Sequence, residues 1–265
     1  MVLPIGDINP VSRRTFVVWT ILAINVGVFA YQSGVLAGCG RPAFVYQWAT
    51  VPQEVLEGNR LSGTDLDGLL GPCATDVADK NVWLSVLTSM FLHGGLAHLA
   101  GNMVFLAVFG DNVEARLGHV RFLLFYLVGG VVATAAFVAL DPGSTVPLIG
   151  ASGAIAAVLG AYLVCFPRAR VLTIVPFPLY LIAVLLPGVR IRRWLIIAAI
   201  VALPAWLLLS GWFVMQAVAV DDPLAGTVAY EAHVAGFISG IVLLLALDRR
   251  RSRHGQQPFH PGGRP

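Results

Sequence analysis

An all-α polytopic membrane protein, built as a bundle of six transmembrane helices, is the fold class that the sequence predicts. Three observations point there. Of 265 residues, 57% are hydrophobic and only 12% charged, with mean hydropathy +0.80; a soluble chain carries about a quarter charged residues. Apolar segments recur at lengths close to the ~20 residues that cross a bilayer. The Arg residues cluster in alternate loops, as expected when those loops face the cytoplasm. This composition excludes a disordered chain, a nucleic-acid binder and an ordinary cytosolic enzyme. The net charge of +3, from 17 Lys+Arg against 14 Asp+Glu, is too small to be an electrostatic footprint.

Residues 1–14 read as a cytoplasmic segment ending in Arg13 and Arg14, followed by the first span near Thr15–Tyr31. Ser12-Arg13-Arg14-Thr15-Phe16 resembles a twin-arginine export signal, and Leu36-Ala37-Gly38-Cys39 a lipoprotein cleavage box. Tyr31, Gln32, Ser33 and Gly34 separate the apolar run from that box, so an uncleaved span is expected. The outer loop, 32–94, contains Cys39 and Cys73, which could pair in an oxidising exterior. Cys165 reads as a buried small hydrophobe.

Spans two to four are expected near Gly95–Val113, Phe122–Leu140 and Ala151–Phe166, with Arg116 and Arg121 between the second and third. The next apolar run, 171–189, contains Pro176, Pro178 and Pro187. The first two block a continuous helix around Phe177. If this run crossed the membrane, the basic C-terminal end would lie outside, so an inner, cytosol-facing hairpin is expected. Spans five and six are expected near Trp194–Val214 and Tyr230–Leu247, completing a membrane domain over 15–247. Residues 248–265, with Arg249, Arg250, Arg251 and Arg253, read as a basic, disordered cytoplasmic tail. The preference for Arg over Lys, with Lys80 alone of its type, suggests a GC-rich prokaryotic genome and hence a prokaryotic plasma membrane.

Ionisable side chains at membrane depth are costly and mark function. The apolar segments leave a short list: His93 and His98 around the start of span two, Asn102 within it, Ser152 opening span four, and His233 near the start of span six. Spans two, four and six run in the same direction, so His98, Asn102, Ser152 and His233 share one depth in the outer leaflet. Asn102 lies one turn below His98, roughly 6 Å at 1.5 Å per residue, on the same face. Ser152 sits in Gly150-Ala151-Ser152-Gly153 at a helix N-terminus, whose free N–H groups and dipole suit a developing oxyanion. His233 is placed to act as its general base. Gly153, Ala157 and Ala161 on span four, with Gly236 and Gly240 on span six, allow the two helices to approach. Glu231 lies about 200° around the helix from His233, so a Ser–His dyad without an acid is the expected arrangement.

At these residues the chain resembles the rhomboid family of intramembrane serine proteases, prokaryotic six-span type. The resemblance rests on Gly150-Ala151-Ser152-Gly153-Ala154, on Ala232-His233-Val234-Ala235-Gly236, and on His93, His98 and Asn102 with the family's five-then-four spacing. Glu114-Ala115-Arg116-Leu117-Gly118 after span two also fits. It implies a six-span bundle whose catalytic dyad, Ser152 and His233, opens outward. The substrates it implies are the transmembrane segments of membrane proteins. His98, Asn102, Gly150 and the backbone of Ser152 would support the oxyanion, His93 would be structural or water-organising, and no metal, nucleotide or other cofactor is expected. Two departures stand out. Many relatives carry an aromatic residue four positions after the nucleophile, where this chain has Ala156, and a Trp-Arg pair in the outer loop, where it has Leu84 and Ser85.

The main alternative is a weak or inactive relative of the same fold that binds or routes membrane clients. A transporter would need a polar path through the inner halves of spans two, four and six, which are apolar. A metalloprotease would need an H-E-x-x-H motif or an acidic ligand within the spans.

Overall fold

The computed structural model describes residues 3–9, 11, 14–34, 36–174, 200–220 and 228–252. Helices α1 (Val17–Gly34), α6 (Leu96–Leu117), α7 (His119–Leu140), α8 (Ser152–Cys165), α9 (Ala205–Ala219) and α10 (Tyr230–Ser252) form an all-α bundle. Four of them, α1, α6, α7 and the Tyr230–Leu247 part of α10, are long and apolar enough to cross a membrane. Helices α8 and α9 are apolar but shorter, at 14 and 15 residues. At about 21 Å, α8 falls short of the ~30 Å hydrocarbon core.

Helix α8 is the centre of the bundle. Every residue from Ala154 to Tyr162 is buried, and α6, α7, α9 and α10 all pack against it. Its partners come close because small residues line the contact. A Cβ at Gly236 would collide with the Gly153 carbonyl oxygen, and one at Gly240 with that of Ala157. In return, a Cβ on Gly160 would strike the carbonyl of Phe237. Backbone-to-backbone approach of this kind is how helices associate where lipid supplies no hydrophobic drive.

The ends of α1 and α6 are locked together by Glu114, which is fully buried. Its carboxylate accepts hydrogen bonds from the backbone N–H groups of Phe16, Val17 and Val18 at 3.0, 3.1 and 2.8 Å. These are orphan donors at the start of α1, and a negative charge there also suits the helix dipole. His119 Nδ1 lies 2.6 Å from the same carboxylate.

At this end of the bundle the sequence expectation is corrected. A three-stranded antiparallel sheet forms in the order β1 (Leu3–Asp7), β2 (Arg170–Ile174) and β3 (Ile200–Pro204). Ile200–Pro204 falls inside the expected fifth span, Trp194–Val214, but pairs with β2; the helix begins only after Pro204, a residue with no N–H to continue it. Val171–Ile174 of the expected apolar hairpin is strand β2, and the remainder of 171–189 lies outside the described residues. Asp7 ties the sheet to the bundle through Tyr162 OH at 2.5 Å and Asn112 Nδ2 at 2.9 Å. The sixth helix also runs on past Leu247 to Ser252, into the segment expected to be a disordered tail. Residues 253–265 lie outside the described residues.

The segment between α1 and α6, expected to be an outer loop, folds as a small unit of its own. Helices α2 (Gly40–Trp48), α3 (Pro52–Glu57), α4 (Thr64–Leu70) and α5 (Val82–Thr88) enclose a core of Tyr46, Val51, Leu61 and Leu66. Cys39 and Cys73 are joined by a disulfide, 34 residues apart in sequence. Closing a loop of that size removes unfolded-state entropy worth about 4 kcal/mol. Beneath it, the Glu54 carboxylate is fully buried and accepts from Tyr46 OH and from the Leu61 N–H at 2.8 Å. The Lys80 ammonium pairs with it at 2.5 Å and lies 4.3 Å from the centre of the Tyr46 ring. Burial pulls the Lys80 pKa below its ordinary value, against the opposing pull of Glu54.

Candidate active site

The loop entering α8 is held by the segment between α1 and α6. Thr50 and Leu148 exchange backbone hydrogen bonds at 3.3 and 2.7 Å, Gln53 N–H donates to the Ser144 carbonyl, and Gly150 N–H to that of Ser89 at 2.9 Å. Gly150 then turns with φ +123°, a conformation side chains rarely adopt. A Cβ there would also lie 2.8 Å from His98 Nε2. Glycine is therefore required twice, by the turn and by the approach of His98. Ser152 follows as the first residue of α8, where the N–H groups have no intrahelical acceptor.

His233, in the first turn of α10, places Nε2 2.8 Å from Ser152 Oγ. Its other ring nitrogen, Nδ1, is 2.7 Å from Oε1 of Gln216 on α9. Two aromatic rings flank the imidazole: Trp212 of α9 at 6.0 Å and 35°, and Tyr230 of α10 edge-on at 6.2 Å. The aromatic residue missing at Ala156 thus has a counterpart from a different helix.

The remaining predicted residues gather around Gly150, two residues before Ser152. His98 and Asn102 both come up against Gly150. Asn102 Nδ2 lies 3.0 Å from His93 Nε2, and both residues are buried. Burial, with the neighbouring His98, lowers the His93 pKa to about 4. A neutral His93 can accept from Asn102 through Nε2, which fixes the amide with its second N–H free. His93 is itself held by Gln32 of α1, whose Nε2 donates to the His93 carbonyl at 2.6 Å. Ser152 and His233 are half-buried and His98 is exposed, so the cluster is reachable from outside the bundle. Beside Ser152 is a small cavity whose walls include Met90, Gly130, Ala133, Thr134, Leu148 and Ala232.

All five side chains and the glycine singled out in the sequence converge here. Gln216 and Trp212 were not among them. Gln216 falls two residues beyond the expected end of span five, although an amide in the apolar stretch Ala205–Ala219 is itself a signal. Among the described residues no group of three or more His, Cys, Asp or Glu is arranged to hold a metal ion.

Comparison with known proteins gives the same neighbourhood. The Rhomboid domain family model matches residues 80–250. Over 128 residues, 47% of the chain, it is 34% identical to Rhomboid protease GluP of Bacillus subtilis (strain 168). It is 33% identical over 168 residues to presenilin-associated rhomboid-like protein A, mitochondrial, of Danio rerio, covering 62% of the chain. With Rhomboid protein 1, mitochondrial, of Saccharomyces cerevisiae it shares 28% over 185 residues, 68% of the chain. The matched regions span 25%, 37% and 46% of those three relatives. The domain match takes in α5 to α10, and with them every residue of the cluster except Gln32: the chain belongs to the rhomboid family of integral membrane proteins.

Proposed function

We propose that the protein is an intramembrane serine endopeptidase that cleaves transmembrane segments of other membrane proteins. The observation that carries this reading is the 2.8 Å contact between Ser152 Oγ and His233 Nε2 at the N-terminus of the buried helix α8. In the reaction, Nε2 takes the Oγ proton as Oγ attacks the scissile carbonyl. The oxyanion forms against the Ser152 backbone N–H, Asn102 Nδ2 and His98. The tetrahedral intermediate collapses as His233 passes its proton to the leaving amine. A water molecule, activated by the same imidazole, then hydrolyses the acyl-enzyme.

The narrowness of the cavity beside Ser152, which Met90 and Leu148 help to close, favours a small substrate side chain next to the scissile bond. The distribution of Arg supports six crossings with the β1 end of the bundle and the end of α10 in the cytoplasm, and the site opening to the opposite side. That reading suits a prokaryotic plasma membrane, although two of the relatives above are mitochondrial by name.

The test is cleavage of a single-pass transmembrane substrate in proteoliposomes. Ser152→Ala and His233→Ala are each expected to reduce turnover by about 10³-fold or more. Undiminished cleavage by both variants would remove the assignment. Client binding without cleavage by the wild type would favour the non-proteolytic alternative.

A further inference from the structure

We propose that Gln216 is a positioning residue for the catalytic histidine, so that the site is a Ser152–His233–Gln216 relay rather than a dyad. The inference rests on the proteolytic reading above and adds the group that orients its base.

A neutral imidazole carries its proton on one nitrogen, and only one tautomer lets His233 act. Nε2 must be free to accept the Ser152 proton, so Nδ1 must carry the hydrogen. Gln216 Oε1 lies 2.7 Å from Nδ1 and can only accept there. A carbonyl oxygen at that point selects the reactive tautomer and fixes the ring about its Cβ–Cγ bond. The same oxygen faces the positive charge that develops on the imidazolium during attack.

The placement on α9 supports the role. Gln216 is 9% exposed, on a helix otherwise made almost wholly of apolar residues. An amide buried there is costly unless it finds a partner, and the partner it finds is the base. Trp212 precedes it by four residues on the same helix face and lays its ring against His233. One face of α9 therefore supplies both the acceptor and the packing that hold the imidazole. No carboxylate among the described residues contacts Nδ1.

A general structural role, in which Gln216 merely glues α9 to α10, would lower stability without altering the chemical step. The experiment therefore compares Gln216→Leu and Gln216→Glu with wild type and Ser152→Ala, all reconstituted in liposomes. It measures kcat and KM for a transmembrane substrate, and thermal unfolding. Gln216→Leu removes the acceptor at similar volume and is expected to lower kcat by about 10²-fold with KM within about 2-fold of wild type. Gln216→Glu keeps an acceptor at the same reach and is expected to recover most of that loss. Wild-type kcat in Gln216→Leu beside an inactive Ser152→Ala overturns the relay and leaves the dyad. A kcat loss that tracks a drop in unfolding temperature in both Gln216 variants, with no recovery in Gln216→Glu, overturns it as well. Full activity in Ser152→Ala overturns the proteolytic reading itself.

Discussion

Asn102 can serve an oxyanion only if its amide is held in one orientation, and His93 is the residue that holds it. One Nδ2 hydrogen is engaged by His93 Nε2 at 3.0 Å, which leaves the other directed toward the space in front of Gly150. Loss of one oxyanion donor typically lowers kcat by about 10²–10³-fold, and that is the expected effect of Asn102→Ala. His93→Ala acts through the same amide. The double variant His93→Ala/Asn102→Ala is therefore expected to be no slower than Asn102→Ala alone, the signature of a fully coupled pair. Additive losses in this cycle would show that His93 works by a separate route. The sequence exposed these residues because each is a polar group in an apolar setting. It did not show which of the two histidines next to Asn102 bonds it, since the i, i+4 spacing favoured His98 and the loop before α6 instead folds His93 back onto the amide.

At the scale of elements, the distance between α8 and α10 sets the distance between Ser152 and His233. Backbone contact at Gly236 and Gly240 is what brings Ser152 and His233 within 2.8 Å. Gly240→Val should hold the helices apart two turns below the site. The expected cost is about 1–3 kcal/mol from overpacking, read as a lower unfolding temperature in detergent. Substrate cleavage is expected to fall further than stability alone accounts for, because the dyad is separated. Wild-type unfolding and cleavage would show that the contact is not limiting. This pair of helices was legible in the sequence through its Gly and Ala residues. The start of α9 was not. Ile200–Pro204 is apolar enough to pass for the beginning of a span, and its partner strand lies some 30 residues earlier. Hydropathy reads local composition, whereas strand pairing is decided by residues distant in sequence. Placing span five too early also hid Gln216, the residue that reaches His233 from α9.

Taken whole, the molecule is a helical bundle braced at both ends, and the bracing converges on α8. On one side the disulfide-linked unit of α2 to α5, with its Glu54–Lys80 pair, pins the loop leading into Ser152. On the other, the three-stranded sheet holds the far end of α8 through Tyr162 and Asp7. Between them the short helix α8, buried from Ala154 to Tyr162, carries its N-terminus to the point where α6 and α10 bring their polar groups. On the proposed reading, this geometry makes Ser152 a nucleophile activated by His233. The most direct measurement is covalent labelling by a fluorophosphonate probe in mild detergent, with the modified residue mapped by mass spectrometry. Adduct is expected on Ser152 in the wild type, none in Ser152→Ala, and labelling slowed by about 10²-fold or more in His233→Ala. Equal labelling of folded wild type and Ser152→Ala, or an adduct mapped to another residue, would contradict it.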